Sequence, residues 1–394
     1  MPRIASGFLS SMSAGVVVIK VGTSSLVDVE GGVLRLSNLA RICETAKELR
    51  GRGYDVVLVS SGAVGVGCQK IGLQERPAKM SQKQALAAVG QPHLMKYYHD
   101  FFSALGMTCA QVLLTNDSFV ELAEYLNAKS TFKELLKYGA IPVVNENDTV
   151  ATDHIKIGDN DTLSAKVAIM VEASWLFLMT DVECLYTSNP RVNPDAKPIH
   201  VVNDIRQLHV ETGSGTQWGS GGMATKLTAA RLFTAAGGRM AVCESTKPES
   251  IVQIMNGEQV GTVFNSIGAP LSSKRRERKK WILSVSVKGQ IWMDDGALDA
   301  VYNSHASLFA AGITRVIGDF GAMDSVALCS SDGSQFGVGL SNYTHEEIRK
   351  VKGKRSKWFA DELSGYMSEE MVHQNNICLL SNNGDSNGES DSSS

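Results

Sequence analysis

The hydrophobic positions of the first 265 residues follow two alternating patterns. Short runs of consecutive apolar and β-branched residues are typical of strands buried on both faces, and they alternate with longer stretches of helical periodicity. The predicted strands are Gly15–Val21, Asp55–Ser60, Thr108–Leu114, Ile141–Asn145, Trp175–Thr180 and Arg239–Cys243, and the predicted helices are Leu36–Arg50, Ser81–Leu105, Ser118–Tyr138, Asp161–Val171 and Met223–Ala236. This order predicts a three-layer α/β sandwich around a mainly parallel sheet, over residues 15–265.

The pattern changes beyond residue 265. Residues 266–280 end in a basic run, which predicts a solvated linker or the start of a helix. Residues 281–360 show short alternating runs between turn signals, which predict a small, mostly β domain. Its predicted strands are Ile282–Val287, Gln290–Met293, Ile313–Ile317, Ser325–Cys329 and Gln335–Leu340. We expect residues 1–14 to be flexible and the serine-rich residues 377–394 to be disordered.

Composition narrows the class of protein. The chain has 394 residues, of which 43% are hydrophobic and 20% charged, so it can bury a large core in two or three domains. A net charge of −3 argues against a wholly basic nucleic-acid coat, and no apolar run is long enough for a transmembrane helix. Seven scattered cysteines without a C-x-x-C pair indicate neither disulfides nor a zinc site, so we expect a cytoplasmic location. The acid-free start weakly resembles a transit peptide, but a disordered start is favoured.

Two predicted strands end in polar, glycine-containing turns. Lys20 ends the first strand just before Gly22, and the second strand runs into Ser61 and Gly62. Such a lysine either meets an anion or extends into solvent, and such turns either bind phosphate through backbone N–H groups or only redirect the chain. Because ligands of parallel α/β sheets bind beyond the carboxyl ends of the strands, both turns are candidate anion sites.

Acidic and amide side chains cluster after the fourth predicted strand. The cluster consists of Asn145, Glu146, Asn147, Asp148, Asp153, Asp159, Asn160 and Asp161. Asp159 or Asp161 could cap the helix that follows, but one cap explains only one carboxylate. The density of these side chains favours a site for an ammonium group, a metal ion or lysines that need orientation.

A glycine-rich loop leads into the last helix of this part, and Lys226 lies about one turn inside that helix. The segment supplies backbone donors and a cation, which phosphoryl transfer requires, although it does not match the Walker A pattern. No G-x-G-x-x-G motif opens the first helix, so a dinucleotide-binding fold is disfavoured. The alternative is a flexible loop without a ligand. Taken together, the four segments predict a phosphoryl-transfer site at one edge of the sheet.

These segments resemble the amino acid kinase family. The matching blocks are VIKVGTSSL, VSSGAVGVG, AVGQ, LLTNDSF, LNAKSTF, IPVVNENDTVATDHIKIGDNDTLSA, LMTDVECLYTSNPR and GSGGMATK, and the segment from Trp281 to about Gly353 resembles a PUA domain. The combination of N-E-N-D and G-D-N-D is typical of the branch that phosphorylates glutamate. The resemblance therefore implies transfer of the γ-phosphoryl group of ATP to the side-chain carboxylate of L-glutamate, the first step of proline synthesis.

The resemblance also implies roles for the matching residues. Lys20 and Lys226 would neutralise the transferred phosphoryl group, and Asp161 would hold both lysines in place. Glutamate would be bound by Ser61, Asp148 and Asn160. ATP would be bound by Lys20, Gly22, Gly62, Thr180, Asp181, Ser220, Gly221, Gly222, Met223, Ala224, Thr225 and Lys226. Mg²⁺ would bridge the phosphates of ATP, and no dedicated protein metal site is expected.

The sequence departs from the family pattern near the expected nucleotide site. Cys184 stands where the family usually has glycine, and Ser188-Asn189-Pro190 stands where it usually has Ala-Asp-Pro. These departures concern nucleotide affinity rather than the chemistry. Since no reductase-like segment follows the kinase-like part, we expect the acyl phosphate to pass to a separate glutamyl phosphate reductase. The resemblance further implies feedback inhibition by proline through residues 65–80, and a homodimer or homotetramer.

Other functions remain as alternatives. PUA-like domains commonly bind RNA, so residues 274–280 and the small β domain could form a nucleic-acid surface, although a solvated charge run is the favoured interpretation. A regulatory pseudokinase would be expected to lack Lys20, Lys226 or Asp161, and the sequence keeps all three. Within the kinase class, L-aspartate, which is one methylene shorter, is the alternative substrate.

Overall fold

The computed structural model describes residues 14–27, 34–73, 75–115, 117–150, 160–188, 193, 195–205, 208, 222–267, 274–354 and 368–380. Within these ranges the chain forms two connected parts. Residues 16–264 contain a large, mainly parallel sheet with helices on both faces, and residues 274–379 contain a smaller five-stranded sheet with short helices.

The large sheet has its six longest strands where the sequence predicts them, each within one residue. Its strands are β1 Val16–Val21, β2 Asp55–Ser60, β3 Cys109–Leu114, β4 Ile141–Glu146, β5 Trp175–Thr180, β8 Val201–Val202, β9 Arg239–Glu244 and β10 Thr262–Phe264. The order across the sheet is β3-β4-β2-β1-β5-β9-β10-β8. Each adjacent pair is parallel except β9 and β10. A separate hairpin is formed by β6 Leu185–Tyr186 and β7 Pro198–Ile199.

Helices cover both faces of this sheet. They are α1 Thr23–Leu26, α2 Leu36–Gly51, α3 Ala63–Ile71, α4 Met80–Ala104, α5 Leu122–Lys137, α6 Asn160–Met170, α7 Met223–Ala235 and α8 Ser250–Met255. Alternate residues of β1 enter different cores: Val18 packs with residues of α5, α6 and α7, whereas Val17 and Ile19 pack with residues of α2, α4 and α8. The three-layer α/β prediction is thereby confirmed. No helix in the described ranges combines the length and apolarity needed to cross a membrane.

The smaller part begins with a helix rather than a strand. Its elements are α9 Lys274–Ser284, β11 Gly289–Met293, α10 Asp295–Tyr302, β12 Leu308–Phe309, β13 Ile313–Gly318, β14 Ser325–Cys329, β15 Gln335–Leu340, α11 His345–Val351, β16 Glu370–Val372 and β17 Ile377–Leu379. The strand predicted at Ile282–Val287 is wrong, because α9 runs through the predicted boundary at residue 280 and ends at Ser284. Periodicity alone cannot distinguish so short an apolar run from a buried helical turn.

The C-terminal sheet has the order β13-β11-β14-β15-β17. Its last strand, Ile377–Leu379, pairs antiparallel with β15, so the structure differs from the expectation of disorder from residue 377 onward. Residues 381–394, and likewise 1–13, lie outside the described residues.

Helices α3 and α4 cross at two glycines. A Cβ atom added to Gly67 would lie 1.9 Å from the carbonyl oxygen of Leu86, and one added to Gly90 would lie 1.9 Å from that of Ala63. The glycines thus permit backbone-to-backbone packing. Gly67 also lowers the helix propensity of α3, which explains why this helix was not predicted from the sequence.

We expect Gly90→Ala to destabilise the protein by about 1–3 kcal/mol or more, because the clash involves backbone that cannot move aside easily. Gly51→Ala is the matched control. An added Cβ at Gly51, the last residue of α2, meets nothing within 4 Å, and we expect it to stabilise by about 0.4–1 kcal/mol. Thermal unfolding of both variants would test this prediction, and equal midpoints would contradict it.

Candidate active site

Three buried side chains from separate elements meet at the carboxyl edge of the sheet. Lys20 is the penultimate residue of β1, Asp161 lies in the first turn of α6, and Lys226 lies in the first turn of α7. Because parallel strands end at the same edge and their crossover helices start there, residues far apart in sequence are brought together.

A single carboxylate contacts both lysines. The Nζ atom of Lys20 lies 2.7 Å from Oδ1 of Asp161, and the Nζ atom of Lys226 lies 3.1 Å from Oδ2. The hydroxyl of Thr225 lies 2.9 Å from the same Oδ2. None of the three charged residues is more than 8% exposed. Two ammonium groups on one carboxylate leave a net charge of +1, which suits an anion.

The pKa of Asp161 is held well below its ordinary value. Burial by itself would raise this pKa, but the charges of Lys20 and Lys226 and hydrogen bonds from Lys20 and Thr225 outweigh burial. Asp161 therefore stays ionised at neutral pH and is unsuited to accept a proton. Its role is to hold the two cations at fixed positions.

Two glycines border the triad of Lys20, Asp161 and Lys226. Gly22 follows β1, and a Cβ atom there would lie 3.3 Å from Nζ of Lys20. Gly62 follows β2 and has a φ of 102°, a conformation that favours glycine. Both precede a helix, α1 and α3 respectively, so free backbone N–H groups lie at this edge.

A second, uncharged cluster lies beside the end of β2. The side-chain nitrogen of Asn160 lies 2.9 Å from the carbonyl oxygen of Ser60 and 2.8 Å from the hydroxyl of Ser61. The same nitrogen lies 3.3 Å from Oδ1 of Asn145, whose amide nitrogen donates to Gln91 at 2.8 Å. The structure thus joins Ser61 and Asn160, two of the residues expected to bind glutamate, through one amide.

Gln91 was not among the site residues expected from sequence. It lies on α4, and its AVGQ block matched the family pattern, but no local rule gave the glutamine a role. Its contact to Asn145 bridges 54 positions of sequence. Only the folded structure therefore reveals that Gln91 contacts Asn145, which in turn contacts the Asn160 amide next to Ser61.

Asp148 follows β4 and has an unusual titration. Burial, and to a lesser extent the nearby charge of Glu146, raise its pKa to about 7, against the opposing effect of Arg76. Arg76 belongs to the segment between α3 and α4. Asp148 is therefore close to half-ionised at neutral pH, and an added cation would favour its ionised form.

Those residues expected to bind the nucleotide that the structure describes lie at the carboxyl edge of the sheet. Thr180 ends β5, and its hydroxyl lies 3.1 Å from Oδ1 of the exposed Asp181. Gly222 precedes α7, and the helix opens with Met223, Ala224 and Thr225. Ser220 and Gly221 lie outside the described residues, as do Asp153 and Asp159.

Cys184, which stands where the family usually has glycine, is buried in the protein interior. Its side chain is 1% exposed, and burial is the main reason that the pKa of its thiol is raised. Cys184 therefore fills core volume as an unreactive thiol. Ser188 is described, whereas Asn189 and Pro190 are not.

The described residues contain no group of three or more histidine, cysteine, aspartate or glutamate side chains arranged to hold a metal ion. At the glycine-lined strand ends, a pair of lysines partly neutralised by Asp161 places positive charge that suits phosphate. Together with the open parallel sheet, this geometry defines a class of phosphoryl-transfer enzymes that act by positioning and charge neutralisation.

Comparison with known proteins gives the family. The amino acid kinase family matches residues 15–244, and the PUA domain matches residues 289–362. The chain belongs to the amino acid kinase family. It is 49% identical to the glutamate 5-kinase of Microcystis aeruginosa over 372 residues, covering 93% of this chain and 96% of that protein.

The chain is similar to further proteins. The glutamate 5-kinase of Rippkaea orientalis is 48% identical over 367 residues, covering 92% of this chain and 98% of that protein. Among solved structures, the isopentenyl phosphate kinase of T. acidophilum aligns with a TM-score of 0.46 at 16% identity, covering 64% of this chain and all of that one.

Proposed function

We propose that this protein transfers the γ-phosphoryl group of ATP to the side-chain carboxylate of L-glutamate, which gives L-glutamyl 5-phosphate, the first intermediate of proline biosynthesis. The observation that carries the proposal is the buried contact of Asp161 with both Lys20 and Lys226 at the carboxyl edge of the sheet. Similarity to glutamate 5-kinases over more than nine-tenths of the chain supports glutamate as the acceptor.

The reaction needs fixed cations more than a base. A carboxylate oxygen of glutamate attacks the γ-phosphorus, the bond to the β–γ bridging oxygen breaks, and ADP leaves. The acceptor carboxylate is already ionised at neutral pH, so no proton has to be removed. This agrees with Asp161, whose pKa is too low for a base. Lys20 and Lys226 would neutralise the charge that spreads over the phosphoryl oxygens in the transition state.

Glutamate would bind beside the uncharged cluster. The ionised carboxylate of Asp148 suits the α-ammonium group, and Ser61 and Asn160 supply a hydroxyl and an amide. Gln91 and Asn145 would keep the Asn160 amide in one orientation, because each is tied to the next by a side-chain contact. A polar pocket of this kind discriminates between substrates better than an apolar one.

ATP would lie across the strand ends on the other side of the lysines. Backbone N–H groups at Gly22, at Gly62 and at the start of α7 suit its phosphates, and we extend this proposed phosphate site to residues 220–226 of the sequence. Thr180 and Asp181 would contact the rest of the nucleotide. The substrate would be the Mg²⁺ complex of ATP, in which the ion would offset part of the phosphate charge.

We also propose the following biological setting. L-proline would inhibit the enzyme through residues 65–80, and a separate glutamyl phosphate reductase would receive the labile product. The protein would act in the cytoplasm as a homodimer or homotetramer. The unpaired cysteines support a reducing compartment. RNA binding rests on the PUA match and the basic run at residues 274–280 alone, and we do not propose it.

We expect the full-length protein to form γ-glutamyl hydroxamate from L-glutamate, Mg²⁺, ATP and hydroxylamine, since hydroxylamine traps an acyl phosphate. L-Aspartate should give little product, and millimolar L-proline should reduce the rate with glutamate. Product with aspartate alone would reassign the substrate within the same chemistry. No product with either amino acid from folded protein would contradict the proposal.

Lys20→Met and Lys226→Met should each lower kcat by about 10²–10³-fold, because each removes a fixed cation but keeps the apolar stem. Asp161→Asn should lower kcat while ATP still binds, since its two lysines lose their common counter-charge. Lys133→Met is the control: Lys133 is exposed on α5, and its loss should leave kcat unchanged. Steady-state rates and ATP binding would check these outcomes, and wild-type kcat in either active-site lysine variant would exclude the mechanism.

The KM for glutamate should rise as the pH falls below about 7, approaching tenfold per pH unit, because protonated Asp148 cannot attract the α-ammonium group. Above that pH the KM should level off, since the free site is already ionised. Asp148→Asn should raise the KM and abolish this dependence. Initial rates from pH 6 to 8 at saturating ATP would test the claim, and a flat wild-type profile would refute it.

A further inference from the structure

Helix α6, which carries Asp161, is buried on all sides. Thr162 alone among its eleven residues keeps partial exposure, although the helix is not uniformly apolar. One side of the helix packs against β1, β5 and α7, and another side packs against α9 of the C-terminal part. The apolar cluster around α6 is completed by Trp281, Ile282, Leu283, Val285, Val338, Leu340, Cys378 and Leu380. The C-terminal part therefore forms an outer wall for the helix of the active site.

Lys166 connects the middle of α6 to this wall. It is 3% exposed, its Nζ atom lies 2.9 Å from the hydroxyl of Ser286, and the same atom lies 5.3 Å from the ring centroid of Phe119. Ser286 follows α9 in the chain. A buried ammonium group is costly unless polar and aromatic partners stabilise it, so its position is well determined. The proposed phosphoryl transfer uses Lys20 and Lys226 and gives Lys166 no task.

Glu172 connects the end of α6 to the same wall. Its backbone has a φ of 55°, which non-glycine residues seldom adopt. Its Oε1 atom lies 2.7 Å from Nζ of Lys129 on α5 and 3.1 Å from Nζ of the buried Lys280 on α9. Burial alone would raise the pKa of Glu172, but the two lysines lower it to about 2, so the contact is ionic at neutral pH.

A third contact fixes a neighbouring loop. The indole Nε1 of Trp281 donates to the carbonyl oxygen of Phe119 at 3.0 Å. Phe119 ends the 3-10 turn Asp117–Phe119, which follows β3 at the same edge as the active site. Helix α9 therefore contacts both α6 and the segment beside it.

We propose that the C-terminal part positions Asp161 for catalysis, with Lys166 and Glu172 as positioning residues that act through helix α6. This inference rests on the proposed function. Lys166 lies within α6, and Glu172 lies two residues beyond the end of the helix at Met170. Contacts at both points oppose sliding and rotation of α6. The simultaneous contact of Asp161 with Lys20 and Lys226 depends on this fixed position of the helix. A displacement of about 1 Å at reacting groups costs on the order of 10²-fold in rate.

Kinetics of Lys166→Met, Ser286→Ala and the double variant test this inference. We expect kcat to fall about tenfold in Lys166→Met and about threefold in Ser286→Ala, with the KM values for ATP and glutamate changed less than twofold. The double variant should be no slower than Lys166→Met, since both changes break one contact. Ser286→Thr keeps the hydroxyl and should restore kcat.

The control is Lys288→Met, which breaks an exposed ion pair with Asp324 in the same C-terminal part and should leave kcat unchanged. Hydrogen exchange gives a readout independent of activity: amides of residues 160–164 should exchange faster in Lys166→Met than in the control. If Lys166→Met does not fold, Glu172→Gln takes its place, with the same expected fall in kcat, nearly unchanged KM values and faster exchange of residues 160–164.

Wild-type kcat per folded molecule in these variants, with unchanged exchange at the start of α6, would overturn the inference and show a purely structural contact. Equal losses in the Lys288→Met control would overturn it as well. Failure of the proposed function is seen separately, as absence of glutamyl hydroxamate with the wild-type protein.

Discussion

The contact of one carboxylate with two ammonium groups is the constraint on which the rest of this structure depends. Lys20, Asp161 and Lys226 are all buried, and any one of them alone would be strongly unfavourable in that environment. They stabilise each other only when β1, α6 and α7 end or begin at the same point. The parallel sheet provides this meeting point, since its strands end at a common edge. Fold and site therefore require each other.

The same constraint fits the proposed reaction, in which the protein does not have to supply a base. An ionised acceptor needs no deprotonation, so the work of the protein is to hold charges where charge develops. A carboxylate with a strongly lowered pKa suits that task because it remains an anion throughout the reaction. Asp148, whose pKa is raised to about 7, lies in the same edge region with the opposite perturbation. Environment thus shifts the pKa values of two aspartates at this edge in opposite directions, in agreement with the different roles proposed for them.

Much of this arrangement could be predicted from the sequence. Continuous apolar runs located the long strands, and the position of Lys20 at a strand end, with the glycines that follow it, indicated the edge that binds anions. What could not be predicted depends on contacts between distant segments. The Gln91–Asn145 contact and the Lys166–Ser286 contact span 54 and 120 positions, and no local pattern reports them. Helix α3 could not be predicted because Gly67, which allows α3 and α4 to pack closely, lowers the helix propensity of α3.

Helix α6 shows why the C-terminal part cannot be treated as a separate attachment. A helix that is buried all round belongs between two layers, and here the outer layer is supplied by α9 and the strands β15 and β17. Without that layer, α6 would expose an apolar face together with Lys166. Catalysis by positioning makes such support consequential, because the rate depends on where Asp161 holds its lysines and not only on whether it is present. The basic run therefore forms the first part of α9, and the apolar residues that follow it in the same helix complete the core around α6.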